Sequence, residues 1–238
     1  DGVEFKRELP ADTQRAARRI AAMANAARGE PFLWVFGVDA TTGECVPPTG
    51  DLASWWPQVE AAFVAASAKN GAVRALVGGF DFNLNKFNHV TQAWRQPGSS
   101  FKPFIYSASL EKGFMPSTLI NDAPISIDPA LTGGQAWEPK NYDGKFEGPM
   151  RLRQGLAKSK NLVSIRILQA IGPGFARDWV TRFGFEADKH PAYLTMALGA
   201  GSVTPWQMLS AYGVFANGGY YVNPYIIRKV TDSTGKVL

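Results

Sequence analysis

The stretch Arg95-Gln96-Pro97-Gly98-Ser99-Ser100-Phe101-Lys102-Pro103-Phe104 reads as a serine held at the mouth of a helix with a lysine one turn further in. Pro97-Gly98 signals a loop. From Phe101 to Lys112 the one breaker is Pro103, which a first helical turn tolerates because its missing N–H has no intrahelical partner there. The helix is therefore expected to begin near Ser99. Side chains three residues apart share a helix face, so the Lys102 amine is expected to reach back toward the Ser99 hydroxyl, close enough to take its proton when neutral. Free N–H groups and the positive end of the helix dipole suit an alkoxide or a developing oxyanion at that point. Phe101, Phe104, Ile105, Tyr106 and Leu110 make the helix apolar round most of its circumference, which predicts a desolvated Lys102 with a lowered pKa.

A bare Ser-x-x-Lys decides little, since a chain of this length holds about one such pair by chance. The plainer alternative is a capped helix with a solvated lysine. The 238 residues, 45% of them hydrophobic, suffice to bury a core. The net charge of +5 is dispersed, without a basic run dense enough to argue for nucleic acid. A single cysteine, Cys45, excludes an internal disulfide framework. His89 and His190 fall in separate loops, where both are expected as surface or turn residues, so neither a zinc site nor a Ser-His-Asp triad is expected. No apolar run reaches the roughly 18 residues a membrane span needs. The opening Asp1-Gly2-Val3, without a signal peptide or initiator Met, is expected of a piece excised from a longer protein.

In chain order, Pro10 to Arg28 is alanine-rich and reads as a surface helix ending at Gly29, and Phe32 to Val38 reads as a strand. A boundary is placed near Pro57, making residues 1–57 a linker or small accessory subdomain and 58–238 the main domain. Trp55 and Trp56 read as interface packing before a sugar-stacking platform. Val59 to Ser67 and Ala72 to Val77 are two β-rich runs joined by Lys69-Asn70-Gly71, a strong hairpin signal. Phe114 to Pro149 lacks periodicity and is expected to be a long functional loop. Met150 to Ala157 and Leu162 to Ile171 are helical patterns, and Phe175 to Phe183 is a third, ended by Gly184. Thr204-Pro205 opens the clearest helix, with Trp206, Met208, Leu209, Tyr212 and Phe215 as its apolar face and Gly218 after its end. Tyr220 to Thr231 reads as a last strand, and Asp232-Ser233-Thr234-Gly235 as a turn. The fold class is α+β, an antiparallel sheet with a helical cluster and no βαβ alternation.

Ser159-Lys160-Asn161 offers a hydroxyl and an amide on a non-helical turn between two helices. The Ser159 hydroxyl could relay a proton between a lysine base and a leaving amine, and the Asn161 amide could bond a substrate carbonyl. Taken alone this is as well read as a helix cap. Together the two motifs, in the contexts Arg95 to Pro103 and Ala157 to Asn161, resemble those of the penicillin-binding proteins, and in particular the transpeptidase domain of the bifunctional, class A members. Further family-like stretches are Trp137-Glu138-Pro139-Lys140-Asn141-Tyr142, Ala197-Leu198-Gly199, Val203-Thr204-Pro205 and Phe215-Ala216-Asn217-Gly218-Gly219. The resemblance covers about Val59 to Leu238.

It implies the penicillin-binding and serine β-lactamase type of fold and a two-step acyl transfer. Ser99, Lys102, Ser159 and Asn161 would be catalytic, and Trp137 and Asn141 would bind substrate. The implied substrates are peptidoglycan stem peptides ending in D-Ala-D-Ala, with β-lactam antibiotics as stalled mimics. No metal and no cofactor is implied. Other implied partners are cell-wall synthesis proteins, and the implied location is the periplasmic face of the inner membrane, with the anchor outside this sequence. The family's third motif, Lys-Thr-Gly, is absent, since Ser233-Thr234-Gly235 follows Asp232. The chain is therefore expected to be truncated before that motif and inactive unless the remainder of the sheet is supplied. The alternatives are a catalytically incompetent scaffold or sensor on the same fold, and a serine β-lactamase.

Overall fold

The computed structural model describes residues 62–79, 81–83, 85–127 and 137–238, with the backbone of two short strands near the N-terminus. The chain divides into two compact units, Asp1–Phe63 with Val77–Asn88, and Val64–Leu76 with His89–Leu238. In the first, β1 (Val3–Lys6) pairs in parallel with β2 (Leu33–Phe36). β2 falls within the run read as a strand. Its parallel pairing departs from the all-antiparallel expectation, and the 7–32 connection is long enough for the crossover that parallel strands require. The alanine-rich segment 10–28, Cys45, Trp55 and Trp56 lie outside the described residues.

β3 (Phe63–Ala66) and β4 (Val73–Val77) form a two-stranded sheet across the Lys69-Asn70-Gly71 turn. Gly71 has φ +75°, and a Cβ there would strike the Asn223 carbonyl oxygen, so the turn requires glycine both for conformation and for space. A 3₁₀ turn, Gly98–Phe101, leads directly into α1 (Lys102–Glu111), whose first turn holds Pro103.

Within the stretch expected to be one aperiodic loop, β5 (Leu119–Asp122) pairs antiparallel with β6 (Gly148–Arg151), Asp122 opposite Gly148 and Leu119 opposite Arg151. These strands escape pattern reading because each is four residues long and β6 is Gly-Pro-Met-Arg, without a β-branched residue. β6 also claims Met150, which had been assigned to the following helix. Then come α2 (Leu152–Ala157), α3 (Asn161–Ile171), α4 (Pro173–Val180) and α5 (Pro205–Ala216).

The core centres on α3, where Leu162, Val163, Ile165, Ile167 and Leu168 have no exposed surface. Burying each of these side chains contributes about 1.5–3 kcal/mol. α1 lies against it, and its Ile105 and Ala108 are also fully buried. On the far side of α1 an aromatic cluster of Phe101, Phe104, Phe183 and Phe185 packs with ring centroids 4.9–5.6 Å apart in tilted and edge-on pairs. α5 begins as its sequence predicts, Thr204 and Gln207 forming a reciprocal capping box. Its buried positions are Ser210, Ala211 and Val214, whereas Tyr212 and Phe215 are partly exposed while their rings touch Phe104. The expected apolar face is thus rotated, because the small residues are what allow close approach to the core.

The last run, Tyr220 to Thr231, is not a strand. It makes single bridges, Tyr225 with Ala72 and Thr231 with Val237, and Asp232 closes the predicted turn by accepting from the N–H groups of Thr234 and Lys236. Among the described residues no helix is long and apolar enough to cross a membrane.

Candidate active site

Three contacts fix the Gly98–Phe101 turn in place. Arg95 and Val203 exchange backbone hydrogen bonds of 2.9 and 3.0 Å, the Gly98 N–H donates to the Gly199 carbonyl at 3.3 Å, and the Tyr212 hydroxyl donates to the Ser100 carbonyl at 2.8 Å. Gly199 has φ +72°, and a Cβ on it would collide with the backbone of Gly98. Ala197-Leu198-Gly199 and Val203-Thr204-Pro205 are therefore the buttress of the serine turn. Ser99 itself is exposed and opens onto a cavity of about 320 Å³ that is also lined by Asn141, Tyr142, Ser159, Lys160 and Asn161.

Lys102 is 1% exposed. Its amine donates to the Ser159 carbonyl at 2.6 Å, the Ser159 hydroxyl at 3.0 Å and the Asn161 side-chain carbonyl at 2.7 Å. The expected contact with the Ser99 hydroxyl is not made. The amine is drawn across to the second motif instead, since three acceptors there match the three N–H donors of an ammonium. Burial lowers its pKa to about 8, as no carboxylate pairs with it among the described residues.

The turn that supplies these acceptors is strained. Ser159 has φ +53°, the one non-glycine residue with positive φ among the described residues. The Ser159 N–H donates to the Leu156 carbonyl and the Lys160 N–H to that of Gly155, both at 2.9 Å, which closes α2. The chain is extended at Lys160 before α3 begins, so Ser159 and Asn161 face Lys102 while the Lys160 side chain leaves on the opposite side.

There Lys160 is 3% exposed and ion-paired to Asp143 at 2.9 Å, Glu147 at 3.0 Å and the fully buried Asp122 at 3.5 Å. Burial opposes its charge, but hydrogen bonds to Asp143 and Glu147 and the charge of Asp122 outweigh that and hold its pKa above the ordinary lysine value. Asn141 occupies the centre of the same network. Its Oδ1 accepts from the N–H groups of Asn161 at 2.9 Å and Leu162 at 3.3 Å, and its Nδ2 donates to Asp122 and to the Lys145 carbonyl.

A family model described as the penicillin binding protein transpeptidase domain matches residues 61–237. The chain belongs to that family. Penicillin-binding protein 1A of Neisseria flavescens is 55% identical over 181 residues, which are 76% of this chain and 23% of that protein. The crystal structure of penicillin-binding protein 1A from Haemophilus influenzae aligns at TM-score 0.71 and 49% identity, over 75% of this chain and 26% of that one. The structure of PonA1 from Mycobacterium tuberculosis in complex with penicillin V aligns at TM-score 0.65 and 29% identity, over 74% of this chain and 48% of that one. The chain thus spans about a quarter of the length of the curated relatives it matches. The α+β fold class and the likeness to class A members are both borne out.

Within this transpeptidase domain the structure gathers Ser99, Ser159 and Asn161 at one cavity, with the buried Lys102 amine bonded to the latter two. Of the two residues assigned to substrate, Asn141 also lines this cavity, but both polar atoms of its side chain are engaged by the protein, where the amide caps α3 and ties the turn to Asp122. Trp137 bridges to Ile127 and packs against the core, away from the residues that line the Ser99 cavity. His190 corrects a further expectation. It is 1% exposed, stacked on Phe101 with ring centroids 4.7 Å apart, and neither ring nitrogen has a hydrogen-bond partner. Burial lowers its pKa and keeps the ring neutral. Nothing in a lone histidine before a proline announced this. Lys160 and Asp122 were missed as well, although Lys160, as the middle residue of the second motif, had to point away from its neighbours.

Proposed function

We propose that this chain carries the acylating centre of a serine D,D-transpeptidase that cross-links peptidoglycan stem peptides and is acylated by β-lactams. The observation that carries the reading is the buried Lys102 amine bonded to the Ser159 hydroxyl and the Asn161 amide beside the cavity onto which Ser99 opens. At pKa about 8 roughly one-tenth of such amines are neutral at pH 7. A cationic or hydrated lysine could not act as a base to that extent.

In this reading the Ser99 Oγ attacks the carbonyl carbon of the terminal D-Ala-D-Ala bond and its proton passes to Lys102. The C–N bond breaks as a proton returns through the Ser159 hydroxyl to the leaving nitrogen, and D-alanine departs. The amine of a neighbouring stem then attacks the ester, the C–Oγ bond breaks, and Ser99 regains its proton. The Asn161 amide nitrogen donates one N–H to the Lys140 carbonyl at 2.9 Å, which leaves its second N–H for a substrate carbonyl, and Tyr142 projects fully exposed at the rim. A β-lactam would open on Ser99 without releasing a fragment, which leaves the acyl-enzyme in place.

We further propose that residues 58–238 belong to the transpeptidase domain and 1–57 to an accessory region, and that the protein works at the periplasmic face of the inner membrane among other cell-wall synthesis proteins. Mass spectrometry of the natural full-length protein after incubation with penicillin tests the central claim. The expected result is one covalent adduct on the peptide containing Ser99, abolished in Ser99→Ala. An adduct that persists in Ser99→Ala would overturn it.

A further inference from the structure

We propose that Lys160 is a positioning residue for acyl transfer: paired with Asp122, Asp143 and Glu147, it holds the strained Ser159–Asn161 turn in the conformation that meets Lys102. The proposal rests on the acyl-transfer reading above. It begins from the left-handed backbone of Ser159, a conformation that a non-glycine residue keeps only where its surroundings impose it. Hydrogen bonds to Leu156 and Gly155 fix the turn on its α2 side. On its other side the fixation comes from Lys160, whose ammonium is buried and gathers carboxylates from two separate pieces of chain. Asp122 ends β5, and Asp143 and Glu147 lie on the connection that follows Asn141.

That connection is itself tied to the turn. Asn141 bonds both Asp122 and the first N–H groups of α3, the Glu147 N–H donates to Asp122, and Lys158 pairs with Glu147. Releasing Lys160 would leave a buried carboxylate at Asp122 without its cation, and the connection and the turn would part. The Ser159 hydroxyl and the Asn161 amide would then shift relative to Lys102, and water would reach the amine. Lys160 lines part of the Ser99 cavity, but its amine is taken up by Asp122, Asp143, Glu147 and the Lys145 carbonyl, so its action passes through Ser159 and Asn161.

Acylation of the natural full-length protein by a fluorescent penicillin, followed by stopped flow between pH 6 and 10, tests this. Lys160→Met is expected to acylate roughly tenfold to a hundredfold more slowly, with the rate's midpoint displaced to higher pH as Lys102 regains water. Lys160→Arg, which keeps the charge, is expected to restore most of the rate. Should Lys160→Met not fold, the paired surface change Asp143→Asn with Glu147→Gln is expected to give a smaller loss with the same displacement, as both carboxylates are partly exposed. A folded variant with wild-type rate and midpoint overturns the proposal. So does a loss of thermal stability with an unmoved midpoint, which marks a merely structural contact. Ser99→Ala in the same assay separates the two claims: if it still forms adduct, the acyl-transfer reading fails whatever Lys160 does.

Discussion

Two lysines lie on opposite sides of one short turn, equally hidden from water, and their ionisation runs in opposite directions. Lys102, 1% exposed, meets neutral oxygens alone and its pKa falls to about 8. Lys160, 3% exposed, meets three carboxylates and its pKa rises. Burial acts against the charge in both cases, so the charge of the partners decides. Burial alone thus makes the Lys102 amine easier to deprotonate, while the carboxylates make Lys160 harder to deprotonate.

The largest expected effect comes from exchanging each lysine for arginine, which does not lose its proton in proteins. Lys102→Arg is expected to lower the acylation rate by about a hundredfold to ten-thousandfold, the range of general acid–base catalysis. Lys160→Arg is expected to stay within roughly threefold of wild type. Equal losses at both positions, measured by penicillin acylation, would break the contrast.

A second test reads the proton directly. Acylation is expected to rise with pH with a midpoint near 8, as the Lys102 amine becomes neutral. The stability linkage has a definite sign. The folded-state pKa is lowered from 10.5 to about 8, so between these values the unfolded chain binds more protons and folding stability increases with pH. The contribution is present above the unfolded pKa and lost as pH falls through the folded one. Denaturant titrations across that window, comparing wild type with Lys102→Met, isolate it.

Gly199→Ala sharpens the contrast from the serine side. It forces a Cβ toward the Gly98 backbone at positive φ, and is expected to cost about 1–3 kcal/mol and to slow acylation roughly tenfold while the Lys160 ion pairs persist. The smallest effect is expected from Thr204→Ala, which removes the side-chain cap of α5 and leaves in place the backbone bonds between Val203 and Arg95 that hold the serine turn. A loss of about 1 kcal/mol would lower Tm by about 2–4 °C and leave acylation unchanged. Calorimetry beside the acylation assay would detect either departure.

Elements with strong local chemistry were legible in advance. Thr204-Pro205 fixes a helix start, Asn70-Gly71 a hairpin turn, and Pro97-Gly98 the loop before α1, because each depends on backbone preferences that few residues satisfy. β5 and β6 were not, since four-residue edge strands lack enough period to register, and their pairing joins residues some thirty positions apart. The burial of His190 was equally hidden, because a ring stacked on Phe101 is positioned by packing and not by its neighbours in sequence.

Residue order alone determined which chemical groups this chain offers: a hydroxyl at 99 and an amine at 102 on one helical entrance, and a hydroxyl and an amide at 159 and 161 on one turn. Tertiary structure alone decided how the amine is used. Spacing suggested Ser99 as its partner, yet packing of α1 against α3 brings it to Ser159 and Asn161. The same packing removes its water without supplying a carboxylate, and a pKa depends on that surrounding space, which no local spacing specifies.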